Sequence, residues 1–587
     1  MWLRGVGRSF SIGGLLQFVR RFRLSALLCA LAVLVCELIS RPYANMGVCD
    51  DISYILIARK AAATGHIFYN GPTTPMLGWQ LYLGAAFIKL FGFSLTSVRM
   101  STLLVAMVLA FVLQRTLVRA NISERNATIG TLAMVLSPLY LVLSVTFMTD
   151  IQGLFAIVLC LYGCLRSLQA STSRAAIGWL CFAVAADVIC GTSRQIAWLG
   201  VLVMVPSAVW LLRSRRRVLL AGIAATLTGD LCVYGCMQWF KHQPYNVPEH
   251  VLSDTFAAGH MLGQLGHMFL DAPFLLLPIV ALFLPGLRKC RPLILAIGSV
   301  FCLGYLFMAT YPSHLRGSFP LDPTGGDWVG VHGIYEFIII KGNAPILLNR
   351  AVQTLLTIVS VGGVFGLICL LCSQRMVEAA EPEAGVSWKQ LGVLLMPFSI
   401  VYLLLLIPRA GDFHLTERYL LALLVMALLC MVRYYQETIR PSLPWISVVL
   451  VGVMAAYGIV NTHNTFAIDR GRVVMADELR AAGVPETAVD NGWEYNQGVE
   501  LQVAGFINDY RMVLPAHTYA PAPALLPGTC EVNGYDLTPH IRPRYGISFD
   551  PNECYGPAPF APVHYSRWLG SAPGTLYVVY YTPPSER

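Results

Sequence analysis

The sequence predicts an α-helical polytopic membrane protein of about 13 transmembrane helices with a small external C-terminal α/β domain. Three observations carry that expectation. Of the 587 residues, 56% are hydrophobic and only 12% are charged, with a mean hydropathy of +0.62. Apolar runs of spanning length recur as far as residue 461, and only 462–587 is long and polar enough for a soluble domain. A soluble protein of this size would still expose about a quarter of its unfolded surface, so it could not hide this much apolar area. The net charge of +9 does not point to nucleic acid, because the basic residues stand between apolar runs, where they set topology.

A spanning helix needs roughly 20 apolar residues. Such segments fall at about 24–40, 97–118, 127–147, 151–168, 175–191, 195–212, 218–236, 264–285, 292–311, 346–372, 390–407, 418–434 and 443–461. Basic clusters flank them with a consistent sidedness. Arg4, Arg8, Arg20, Arg21 and Arg23 precede the first span. Arg115, Arg119 and Arg125 follow the second, Arg213 and Arg215 to Arg217 the sixth, and Arg288, Lys289 and Arg291 the eighth. All fall on one face if every span is real, which makes that face cytoplasmic. An odd span count then leaves the N-terminus inside and the C-terminal domain outside, as in a bacterial inner membrane. The first span is too long for a removable signal peptide and reads as an anchor.

The domain division is thus 1–461, a transmembrane module whose first external loop is about 41–96, and 462–587, an external domain. Within the latter, Val474 to Val484 reads as a short amphipathic helix and Thr575 to Tyr581 as a strand. Most cysteines, among them Cys29, Cys36, Cys160, Cys181, Cys369 and Cys430, fall in spans as small hydrophobes. Cys530 and Cys554 lie in the external tail, where a disulfide is reasonable. No spacing suggests a zinc site.

Chemistry concentrates in the first loop. Cys49-Asp50-Asp51-Ile52-Ser53-Tyr54 is followed by Ala58-Arg59-Lys60-Ala61-Ala62-Ala63-Thr64-Gly65. Adjacent carboxylates beside a membrane are costly unless they face a polar cavity. Their repulsion tends to raise one pKa and leave the other acid ionised, and a carboxylate held near neutrality can take a proton from a hydroxyl or amine. The simpler reading is that one of them caps the helix that begins at Ile52.

This segment resembles the first external loop of the GT-C glycosyltransferases, in the branch of protein O-mannosyltransferases and lipid A aminoarabinose transferases grouped as glycosyltransferase family 39. Asp50-Asp51-x-x-Tyr54 and the helix ending at Gly65 carry the resemblance, together with Tyr69-Asn70-Gly71 and the amphipathic stretch from Pro75 to Gly92. This chain has Asp where many members have Glu at the second acid. A second match is Thr146-Phe147-Met148-Thr149-Asp150, at the external end of the third span.

The resemblance implies a membrane glycosyltransferase, hexosyl or pentosyl, that moves a sugar from a polyprenyl-phosphate donor to a lipid, glycan or protein acceptor on the non-cytoplasmic face, with inversion. It makes Asp50 the candidate general base and Asp51 its partner. Asp150 and Tyr54 would shape the acceptor or a bound divalent cation. The donor phosphate gains charge as the sugar leaves and calls for cations; Arg194, Arg418, Lys341 and Arg316 are the candidates. Asp50, Asp51 and Asp150 offer oxygen ligands to a divalent cation, yet no sequence feature requires a metal.

Two other classes stand beside this reading. A transporter or flippase of lipid-linked sugars would use an intramembrane acid such as Asp230. A noncatalytic scaffold of a cell-envelope assembly would leave the paired acids explained only as a cap. Turnover separates them: an enzyme releases polyprenyl phosphate, a carrier moves intact donor, and a scaffold does neither.

Overall fold

The structure is a computed structural model. It describes residues 24–71, 73–248, 271–293, 295–300, 332–334, 340–373, 385–410, 415–570 and 572–586, with residues 261, 265, 268, 329 and 330. Arg316, the basic cluster from Arg4 to Arg23 and most of the expected span 292–311 lie outside the described residues.

Among the described residues, eight helices are long and apolar enough to cross a membrane, and a bent pair adds a ninth. The chain is an integral, multi-pass membrane protein. Helix α1 (Leu24–Ser40) is shorter and apolar. It leads through an irregular segment to α2 (Asp51–Thr64) and α3 (Gly78–Phe91), the two helices of the first loop. Helix α2 stops at Gly65, whose φ of 78° lets its amide reach the Ala61 carbonyl. Helix α4 (Leu95–Arg119) starts from a capping box in which Ser94 and Ser97 each bond the other's amide.

The expected span 127–147 is broken. It consists of α5 (Glu124–Val135) and α6 (Pro138–Ser144), bent by 69°. Ser137 caps the second half and Pro138 sits at its first turn, where the missing amide costs nothing. Helix α7 (Asp150–Leu168) then packs against α8 (Ser173–Gly191). Gln195–Leu211 is a shorter apolar helix that changes from tight to wide winding along its length. Four further spans follow: α9 (Arg216–Lys241), α10 (Arg350–Ser373), α11 (Trp388–Arg409) and Glu417–Ile439. Cys369, expected in a span, is buried on α10.

The helix of the last span continues past the end that the sequence reading gives the span. Helix α12 (Trp445–Ala481) runs unbroken for 37 residues, about 55 Å against a hydrocarbon core of about 30 Å. The expected domain boundary at 461/462 falls inside this helix, and the amphipathic helix expected at 474–484 is its far end. Its terminal half carries the C-terminal domain. Met475 and Leu479 pack with Val489, Ile547, Leu576 and Val578 of a four-stranded sheet.

That sheet runs in the order β1 (Val489–Asp490), β2 (Tyr545–Ser548), β4 (Gly574–Tyr580), β3 (Val563–Tyr565). The first pair is parallel and the others antiparallel. The strand expected at Thr575 to Tyr581 is therefore β4, displaced by one residue. Helix α13 (Gly492–Val503) follows β1 and returns toward α2. A disulfide joins Cys530 to Cys554.

Candidate active site

The two adjacent aspartates have different environments. Asp51 opens α2 and is fully buried. Its Oδ2 accepts from Arg99 Nε at 2.8 Å and from the Phe147 amide at 3.2 Å. Its Oδ1 accepts from the Val48 amide at 2.8 Å and from Arg99 Nη2 at 3.1 Å. Arg99 also donates to the Met46 carbonyl at 2.7 Å. The Arg99 and Phe147 bonds tie segment 46–51 to α4 and to the turn before Asp150, while the Val48 bond closes the segment on itself. Asp51 forms a buried ion pair with Arg99.

Asp50 holds the position before α2 but makes no capping bond, so the simpler reading of the pair does not describe it. Its Oδ1 accepts from the indole Nε1 of Trp493 at 3.1 Å, on α13 of the C-terminal domain. The side chain stays partly exposed although protein surrounds it. Burial raises its pKa above the ordinary carboxylate value. Arg418 and hydrogen bonds from Trp493 and Cys49 pull it back in part, while Asp51 adds to the rise. Tyr54, one turn into α2, is buried and within electrostatic reach of Asp50, Cys49 and Arg418.

Asp150 begins α7 and is buried. Arg194 Nη1 bonds its Oδ1, and Arg418 Nη1 lies 3.5 Å from its Oδ2. One carboxylate thus holds two of the expected phosphate-binding arginines together. Gly153, one turn along α7, makes room for this. A Cβ there would sit 3.1 Å from Arg194 Cδ and 3.2 Å from its Cβ. Tyr419 gathers the cations further: Arg194, Arg418 and Arg409 lie 4.8, 5.3 and 5.3 Å from its ring centre. Tyr402 donates to the Tyr419 carbonyl at 2.8 Å and fixes the start of that span.

These side chains line a pocket with two characters. Asp150, Arg194, Arg418 and Tyr402 form a polar side, and Leu154, Ile157, Ile196 and Leu421 an apolar side. Arg418 links the pocket to the first loop, since its charge acts on both Asp150 and Asp50.

Lys341 stands apart from this group. Its carbonyl accepts from the Phe549 amide at 2.9 Å and its backbone bridges to Ser548, the last residue of β2. Its ammonium acts on Asp490 of β1. Asp230, the acid of the carrier reading, is half-buried on α9. Among the described residues no three His, Cys, Asp or Glu side chains gather as a metal site. Two of the three carboxylates offered for a cation, Asp51 and Asp150, are each held by arginine.

Several site residues escape the sequence reading. Arg99 had a signal, being a lone cation at the start of an apolar span that demands a partner. Arg409 and Tyr402 look like ordinary helix-end residues. Trp493 carries no motif, and its distance of 443 residues from Asp50 hides it.

The fold and site define a polytopic helical membrane protein with a carboxylate and a guanidinium cluster opening beside an extramembrane domain. No family model and no curated protein matches the chain. Similar solved structures are GT-C glycosyltransferases. ArnT from Cupriavidus metallidurans, bound to undecaprenyl phosphate, is 13% identical over 97% of this chain and 98% of that one, with a TM-score of 0.39. The Archaeoglobus fulgidus oligosaccharyltransferase AglB, in complex with an inhibitory peptide and a dolichol-phosphate, is 14% identical over 90% and 70%, at 0.43. The S. cerevisiae protein O-mannosyltransferase Pmt1-Pmt2 complex bound to the sugar donor is 15% identical over 40% of this chain and 36% of that one, at 0.31. This chain therefore spans about a third of that relative's length. Likeness this distant assigns no activity by itself.

Proposed function

We propose that this protein is an inverting membrane glycosyltransferase that moves a sugar from a polyprenyl-phosphate donor to an acceptor on the non-cytoplasmic face. The observation that supports it most is the separation of the acid pair: Asp51 is spent on Arg99, and Asp50 is left beside the guanidinium cluster without a capping bond.

The roles follow from the chemistry. Arg194 and Arg418 hold the donor phosphate, with the polyprenyl chain along Leu154, Ile157 and Leu421. The acceptor oxygen attacks the anomeric carbon as the bond from that carbon to the phosphate oxygen breaks. The electron pair leaves with the phosphate, where the arginines offset its growing charge. The acceptor proton passes to Asp50, whose raised pKa suits a general base. Asp150 keeps the two arginines together, and Tyr54 borders the acceptor. Lys341 takes no part in donor binding. The same resemblance brings a lipid, glycan or protein acceptor, and a hexosyl or pentosyl donor, within the class.

The test is reconstitution of the purified protein with radiolabelled polyprenyl-phosphate sugars and a membrane extract as acceptor. Wild type should release polyprenyl phosphate as label enters the acceptor. Asp50→Asn, nearly isosteric, should bind donor and lose transfer by at least about 100-fold. Transfer at the wild-type rate in Asp50→Asn would remove Asp50 as base. Movement of intact donor across the bilayer without cleavage would replace the enzyme with a carrier.

A chelator provides a second check. Because Asp51 and Asp150 are held by arginine, transfer should persist in excess EDTA. Loss of activity restored by a divalent cation would mean that one of them leaves its arginine to bind metal.

A further inference from the structure

The C-terminal domain touches the first loop beside the candidate base. Asp490, at the end of β1, accepts from the Gly492 amide at 3.1 Å and from Asn496 Nδ2 at 2.7 Å. These bonds, with a φ of 77° at Gly492, turn the chain sharply into α13 and put Trp493 and Glu494 in its first turn. Arg472 on α12 locks that turn. It bonds the Asn491 carbonyl, Asn491 Oδ1 at 3.2 Å and Glu494 Oε2 at 3.1 Å. Asp469, one turn earlier on α12, pairs with the same guanidinium at 3.0 Å.

From this support two bonds cross to the first loop. Glu494 Oε1 accepts from the Cys49 amide at 3.4 Å, and Trp493 Nε1 donates to Asp50 Oδ1 at 3.1 Å. The approach is close: a Cβ on Gly47 would lie 3.0 Å from Glu494 Cβ. The Trp493 ring is buried with Leu501 and Ile507, against Leu56 of α2. Its N–H, though, is spent on a carboxylate that caps nothing.

We propose that Trp493 is a positioning residue: the C-terminal domain completes the active site by fixing the Asp50 carboxylate through the indole N–H. This rests on the reading of Asp50 as general base. A hydrogen bond from a rigid, buried ring removes the rotational freedom of a short side chain and favours its ionised form. The other groups facing Asp50 are Arg418 from the opening of its span, Cys49 beside it, and Asp51 and Tyr54 on α2. Glu494 stands behind Cys49. Of these, Trp493 and Glu494 come from the C-terminal domain, and Trp493 is the one that bonds Asp50.

The experiment compares wild type, Asp50→Asn and Trp493→Phe in the transfer assay over a range of pH. A second replacement of Trp493 by benzothienylalanine, which keeps the bicyclic shape and removes only the N–H, covers the outcome in which Phe misfolds. In a folded Trp493 variant, kcat should fall about tenfold or more, with the KM for donor unchanged. The N–H stabilises the carboxylate, so its loss should move the low-pH limb of kcat upward. A wild-type limb and plateau in the benzothienylalanine protein, with Asp50→Asn inactive, would overturn this inference and leave Asp50 as base. Wild-type activity in Asp50→Asn would overturn both.

Discussion

Asp50 and Asp51 are chemically identical and adjacent, yet their surroundings differ: Asp51 is paired with Arg99, and Asp50 meets the Trp493 indole. Asp51 lies with Arg99 where neither side chain is exposed, and its four accepted bonds leave no unsatisfied charge. Such a pair adds little net stability compared with an apolar replacement, but removing one member strands the other. Arg99→Met should therefore destabilise the protein by about 3–5 kcal/mol. The cost comes from Asp51 buried without a counter-charge, and thermal unfolding in detergent would read it. The double variant Arg99→Met with Asp51→Leu should recover much of the loss. A single variant as stable as wild type would mean that the ion pair does not form. The sequence displays the acid pair plainly, but not which acid is spent. That depends on Arg99, 48 residues away, and on a backbone amide at Phe147 that no side-chain pattern encodes.

At the level of elements, the site depends on how closely α7 lets its neighbours approach. Arg194 leaves the turn after α8 and lies across α7 at Gly153 before reaching Asp150. A glycine inside a helix weakens it by roughly 0.5–1 kcal/mol relative to alanine, so this one is compensated by the arginine that it admits. Gly153→Val should push the Arg194 side chain outward and separate the two guanidiniums that Asp150 holds. Binding of polyprenyl phosphate should weaken about tenfold, or ~1.4 kcal/mol, with the helix intact. Titration with the lipid phosphate measures this, and an unchanged Kd would remove Arg194 from the donor site. Apolar length alone located most of the helices, because crossing hydrocarbon demands it. It could not show the bend at Ser137-Pro138 or the continuation of α12 beyond the membrane. The bend comes from a Ser cap and a proline, whose effect apolar length does not register, and the continuation of α12 is covered by the sheet at its far end.

Over the whole molecule, α12 joins the membrane module to the C-terminal domain, and α13 of that domain reaches Asp50. The site and the domain must therefore open on the same side of the membrane. We propose, from the basic clusters at Arg115 to Arg125 and Arg213 to Arg217, that the opposite side is cytoplasmic. The disulfide at Cys530 and Cys554 fits an oxidising compartment. This orientation is testable with Cys530→Ser, which leaves Cys554 as a free thiol in the domain. In right-side-out vesicles an impermeant maleimide should label the variant at Cys554 without permeabilisation, and wild type there only after reduction. Labelling confined to permeabilised vesicles would turn the molecule over and carry Asp50 to the cytoplasmic face. A water-soluble nucleotide sugar would then be within reach of the site, and the argument for a lipid-linked donor would lose its topological support.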